Sequence, residues 1–103
     1  MADFMKILQQ AQQMQGRLQQ MQEELATRTV TGSAGGGMVS VEADGTGKVR
    51  RVKIDPSVAS DVEMLEDLVL VAIGDAQQKA ATLAREETGK LTGGLNLPFK
   101  LPF

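Results

Sequence analysis

The chain has 103 residues, 42% of them hydrophobic and 23% charged, which suits one globular domain with a single core. Eleven Lys and Arg against thirteen Asp and Glu leave a net charge of −2, so bulk charge draws the chain to neither nucleic acid nor membrane; any such role must rest on local patches. There is no Cys, His, Tyr or Trp, which excludes a disulfide framework and removes the usual zinc ligands, the commonest general base and the best nucleophile, so that no enzymatic reaction, metal, cofactor or small-molecule substrate is expected.

Over residues 4–25 the apolar positions Phe4, Ile7, Ala11, Met14, Leu18, Met21 and Leu25 are spaced alternately by three and four, the seam of an amphipathic helix. Glutamines interrupt every apolar run there, so no signal-peptide segment forms; the longest apolar run, residues 68–73, is too short to span a bilayer, and the expected compartment is the cytoplasm. Gly16 lies off the seam and weakens the helix by about 1 kcal/mol. Thr29, Val30 and Thr31 predict a short strand, followed by a glycine-rich break over residues 32–37. Residues 38–43 predict a half-buried strand with Val39, Val41 and Ala43 on one face, and Asp44-Gly45 predicts a hairpin into a third strand over residues 48–54. Val49 is out of phase with Val52 and Ile54, which calls for a bulge near Arg50 and Arg51. Asp55-Pro56 ends the sheet.

A capping box at Ser60 and Glu63 predicts the start of a second helix, whose first turns carry Asp61, Glu63, Glu66 and Asp67 at the positive end of its dipole. Its stripe is Val62, Leu65, Val69, Ala72, Ala76, Ala80 and Leu83, broadened by Leu68 and Ile73. The helix is expected to reach about Thr88 and to stop at Gly89. Residues 91–103, with Gly93, Gly94, Pro98 and Pro102, read as an irregular tail in which Phe99 and Phe103 either anchor on the body or hang free. The fold class is therefore α+β: helix, three strands, helix.

Length argues for a homodimer. A six-residue strand spans about 20 Å at ~3.3 Å per residue, whereas the first helix spans about 35 Å at 1.5 Å per residue. The helix overhangs the sheet with its seam undiminished, and needs a cover. Pairing of the two helices within one chain is the alternative, but residues 68–73 are apolar on all sides and one sheet face cannot cover them. The expected interface comprises Leu18, Met21 and Leu25 with Leu68, Val69, Leu70, Val71 and Ile73.

Two sets of residues suit contacts to a phosphate backbone. Lys6 and Arg17 are eleven residues apart, about three turns, and so share one flank of the first helix with Gln10, Gln13 and Gln20 near them; Lys79 and Lys90 repeat the spacing on the second helix. Asp3 and Glu24 beside the first pair weigh toward an ordinary solvated face. Lys48, Arg50, Arg51 and Lys53 form the one dense basic patch, suited either to tracking phosphates or to pairing with Glu42 and protecting a sheet edge. No aromatic residue stands there for base stacking, which disfavours sequence-specific single-strand recognition. The glycine-rich stretches lack the Lys-Ser/Thr ending and following helix of a phosphate loop.

Five runs together resemble the YbaB/EbfC family of bacterial nucleoid-associated proteins: QQMQEEL at 19–25, VTGSAGGGMVSV at 30–41, KIDPSV at 53–58, MLEDLVLVAIGDA at 64–76 and KLTGGLNLP at 90–98. The resemblance covers nearly the whole chain. It implies a helix, three-stranded antiparallel sheet, helix fold that dimerises with its helices projecting like tweezers. DNA binding in the nucleoid is implied too, with the contact surface on the projecting helices and a role in nucleoid organisation and gene regulation. No short motif defines that surface, so no contact residue carries over. A protein-interaction scaffold, to which the acidic net charge and Met-rich seam are also suited, is the alternative.

Overall fold

The three-and-four spacing of the N-terminal segment forms one continuous helix, α1 (Ala2–Leu25), in the computed structural model of the chain, which describes residues 2–92. Three strands follow, β1 (Thr29–Ala34), β2 (Val39–Asp44) and β3 (Val49–Ile54), then α2 (Val62–Thr92). The strands form one antiparallel sheet in the order β1-β2-β3. Val39, Val41 and Ala43 of β2 point to one face, where α2 covers them.

The expected bulge is present. Ala43 pairs with Val49 and Glu42 with Arg51, so Arg50 is the extra residue. It brings Val49 into phase with Val52 and Ile54, opposite the core residues Ala43, Val41 and Val39.

Helix α2 lies over β1 and β2, and its alanine ridge sets how close it comes. Ala72, Ala76 and Ala80 are all buried, at four-residue spacing on one side of the helix. Ala72 and Ala76 join Ala34, Val39, Val41, Ala43 and Val58 in the core, with Val30, Met38, Val49, Leu65, Leu68, Val69 and Ile73 packed around them. A Cβ on Gly32 would stand 2.3 Å from the Ala76 backbone nitrogen and 2.4 Å from the Ala72 carbonyl oxygen, so only glycine permits this approach. Gly32 is therefore a strand residue, and β1 continues to Ala34 where a break was expected from residue 32. The turn falls later, at Gly35, Gly36 and Gly37, all with positive φ.

Two further expectations at the ends of α2 are corrected. Asp61, rather than Ser60, caps the helix: its Oδ1 accepts from the Met64 N–H at 3.1 Å. Gly89 does not stop the helix, which runs through it to Thr92; the position is exposed, and one glycine costs only about 1 kcal/mol in a long helix. Residues 91 and 92 of the expected tail thus belong to the helix, and the rest of that tail, residues 93–103, lies outside the described residues.

The C-terminus of α1 is fixed to the sheet. Leu25, 2% exposed, offers its carbonyl to the Gly45 N–H of the β2–β3 hairpin at 2.8 Å. Alongside, Met21 meets Thr88 of α2 and Arg28 meets Glu87. The end of α2 therefore runs antiparallel beside residues 17–25 of α1, and the preceding turns of α1 project beyond it as an arm. The principal extents are 69 × 24 × 17 Å.

Candidate nucleic-acid interface

The basic residues divide between groups that hold the fold together and groups that face outward. Lys79 belongs to the first kind. Its ammonium donates to the Thr31 carbonyl of β1 at 2.9 Å and pairs with Asp75 at 3.3 Å, while Asp75 Oδ2 accepts from the Ser33 N–H at 3.1 Å. Together Asp75 and Lys79 satisfy one donor and one acceptor of the outer edge of β1. The Ser33 N–H, then the Lys79 ammonium, hold the Asp75 carboxyl below its ordinary range.

Arg50 is likewise engaged. The bulge turns its guanidinium onto Asp44, with Nε at 3.2 Å and Nη2 at 3.1 Å from Oδ2. Asp44 is 3% exposed. Its other oxygen accepts from the Thr46 hydroxyl, the Thr46 N–H at 2.9 Å and the Lys48 N–H at 3.1 Å. These donors, the Thr46 hydroxyl foremost, outweigh the opposing effect of burial and push the carboxyl pKa down to about 2.

On the arm, Lys6, Gln10, Gln13 and Arg17 are all exposed and share one flank, as their spacing requires. Arg17 and Lys90, read separately in the sequence, come together: with Gln20, Met21, Glu24, Glu87 and Leu91 they line a cleft of about 300 Å³ between the helices. Lys90 pairs there with Glu87 at 3.4 Å, and Arg28 approaches the same carboxylate at 3.9 Å. On the outer sheet face, Arg51 and Lys53 stand opposite Glu42 and Ser40 and form a shallow hollow with them. Lys48 is exposed in the hairpin. Among the described residues Lys6, Arg17, Lys48, Arg51, Lys53 and Arg85 form no ion pair. Arg85, an exposed cation on α2, was not singled out in the sequence because nothing on its helix repeats its spacing.

The apolar residues expected at an interface fare differently from one another. Leu25 is enclosed by its own protomer and Met21 is half-buried, leaving Leu18 the most open of the three on α1. On α2, Leu68, Val69 and Ile73 are half-buried, whereas Leu70 and Val71 are 72% and 58% exposed. Beside them lies a surface that sequence reasoning missed. Val52 and Ile54 of β3, assigned to the core side, remain 42% and 39% exposed because α2 covers β1 and β2 but not β3; Val62 is exposed as well. One signal was available: a single helix, about 10 Å across, is narrower than three strands at ~4.8 Å spacing with their side chains.

The chain is thus an elongated α+β protein whose cations without an ion pair among the described residues lie mainly on an arm and an open sheet face, with Arg17 at the cleft between the helices. Comparison with known proteins supplies the family. The YbaB/EbfC DNA-binding family matches residues 1–95, and the chain belongs to it. A nucleoid-associated protein of Gemmatimonas aurantiaca is 52% identical over 103 residues, covering 98% of this chain and 99% of its own length. One from Xylella fastidiosa strain 9a5c is 55% identical over 100 residues, covering 95% and 94% respectively. The crystal structure of an uncharacterised Helicobacter pylori protein has the same fold, with a TM-score of 0.76 at 24% identity over 82% of this chain and 91% of that one.

Proposed function

We propose that the chain is a homodimeric DNA-binding protein of the bacterial nucleoid that grips duplex DNA mainly through its phosphates, with modest sequence preference, and contributes to nucleoid organisation and gene regulation. It is read as a binding protein, not an enzyme. The observation that supports the mode of binding is the placement of cations that form no ion pair among the described residues: Lys6 and Arg17 on the arm, with Gln10 and Gln13 between them, and Lys48, Arg51 and Lys53 about the outer sheet and its hairpin. Isolated cations at helical spacing can each neutralise one phosphate but offer few base contacts. Lys79 and Arg50 are assigned to the fold and Lys90, held by Glu87, to the margin of the arm site.

The dimer interface we propose centres on Leu70 and Val71, with Leu68, Val69 and Ile73 beneath them and the open inner side of β3 adjoining. Its mass should be that of two chains by light scattering.

A gel-shift titration from low to physiological salt tests the DNA reading. Affinity should fall with a log–log slope of about −0.9 per phosphate neutralised. Replacing Lys6 and Arg17 by Ala should flatten that slope by about 2 per protomer and weaken binding to all sequences alike. Binding indifferent to salt, or no binding at low salt, overturns the proposal. The exposed apolar side of the arm favours a second reading as a protein-interaction scaffold, in which partners are retained in a pull-down after nuclease treatment.

A further inference from the structure

The seam of α1 is divided between two environments. Leu25 and Met21 face the hairpin and α2 of their own protomer, whereas Phe4 is 63% exposed, Ile7 61% and Leu8 43%. Ala11 is exposed as well, and Met14 is half-buried. The stretch from Phe4 to Met14 keeps the alternate three-and-four spacing of a coiled-coil seam on an unbroken helix. Beside it, Asp3, Gln10 and Arg17 stand seven residues apart on one flank, all exposed. Neither Asp3 nor Arg17 forms an ion pair among the described residues.

We propose that the arm pairs with the arm of a second copy, antiparallel and centred on Gln9. That register sets Phe4 against Met14 of the second copy and Ile7 against its Ala11, each contact made twice by symmetry. Large side chains thus meet smaller or more flexible ones, and Leu8 lies beside Leu8 at the twofold axis. The same register brings Asp3 beside Arg17 of the second copy, again twice, with Gln10 beside Gln10 between them. Parallel pairing would stack Phe4 on Phe4 and set Asp3 beside Leu8 and Arg17 beside Gln22, forming no ion pair. Charged residues flanking such a seam select partner and direction, and here they are complementary only to their own reversed copy.

Length agrees. Phe4 of the second copy falls at Met14, just short of Arg17 and Met21, where Leu91 of α2 lines the cleft between the helices. The second arm therefore continues the cover that α2 gives without overlapping it. The contact also differs from the dimer face proposed above. Leu70 and Val71 lie in the first turns of α2, toward the opposite end of a molecule 69 Å long. A twofold axis through both places would run along α1 and pair the arms in parallel. Antiparallel arms have an axis of their own, so they join one dimer to the next. Arg17 then serves one partner at a time, Asp3 of a second copy or a phosphate.

The absence of cysteine allows a direct test in the full-length chain, made without DNA so that it stands apart from the DNA-binding reading. Ile7→Cys and Ala11→Cys chains are mixed and oxidised, and their disulfides are identified by mass spectrometry. Disulfides joining position 7 of one chain to position 11 of the other should exceed the 7-to-7 and 11-to-11 products by about tenfold, because only the facing pair comes within bonding distance. A statistical mixture or an excess of 7-to-7 and 11-to-11 products overturns the proposal. So does the lack of any cross-link between chains, the outcome if another segment of the same chain covers the seam. Adding Leu70→Asp to both chains should leave the 7-to-11 product in place, which separates failure of this inference from failure of the proposed dimer face. Sedimentation over a concentration series gives a second readout. Asp3→Lys and Arg17→Asp should each weaken the association carried by the arms about tenfold, and the two together should restore it; a double variant as weak as either single one counts against the register.

Discussion

Asp44 has five donors aimed at its two oxygens while almost no solvent reaches it. Its folded pKa of about 2 lies below the unfolded value of 3.8, so its contribution to stability is fully present above pH 3.8 and is lost as pH falls toward 2. Urea midpoints measured from pH 5 to 2 should decline across that window, and Asp44→Asn should be less stable at neutral pH but flatter over the same interval. A variant with the parent's acid slope assigns the slope to other carboxylates. The hairpin itself was legible, because Asp44-Gly45 between alternating strands is a strong turn signal. The role of the carboxylate was not. Strand alternation places Asp44 on the open face, and the bulge that swings Arg50 onto it was expected from the phase of Val49 without showing which guanidinium would turn.

At the level of elements, the contact between α2 and β1 depends on a missing side chain. Gly32→Val would drive a Cβ into the Ala72 and Ala76 backbone, which cannot yield as a side-chain tip can. We expect it to destabilise the fold by about 3 kcal/mol or more, read from the denaturant midpoint. Ala at this position should also cost heavily, whereas Gly36→Asn, in open space at positive φ, should be nearly neutral. Element order, the heptad seam of α1, the bulge and the alanine stripe were all legible in the sequence. The extent of β1 was not, since a glycine that admits a helix cannot be told from one that makes a turn without knowing what packs above it. The cap of α2 was displaced by one residue for a related reason, as Ser60 and Asp61 are both good N-caps and the backbone chose between them.

For the whole molecule, the projecting arm was legible from the ratio of helix length to strand length, and DNA binding chiefly from the family resemblance, because a net charge of −2 argues for no polyanion. What the sequence concealed was the uncovered inner side of β3, since alternation tells which face a residue takes but not how far a helix reaches across it. Leu70→Asp, at a position 72% exposed, should leave the fold intact and weaken the proposed dimer at least about thirtyfold by sedimentation, the loss typical of a central interface residue. An unchanged dimer moves the interface elsewhere. The latch formed by Asp75 and Lys79 on β1 then acquires a different meaning. Among the described residues, one sheet margin is held by side chains and the other, along β3, is not. Joining two copies at their vacant margins by a twofold axis would leave only latched strands outermost, with no template for a third. The same two side chains that settle a strand would thus terminate such an assembly at two copies.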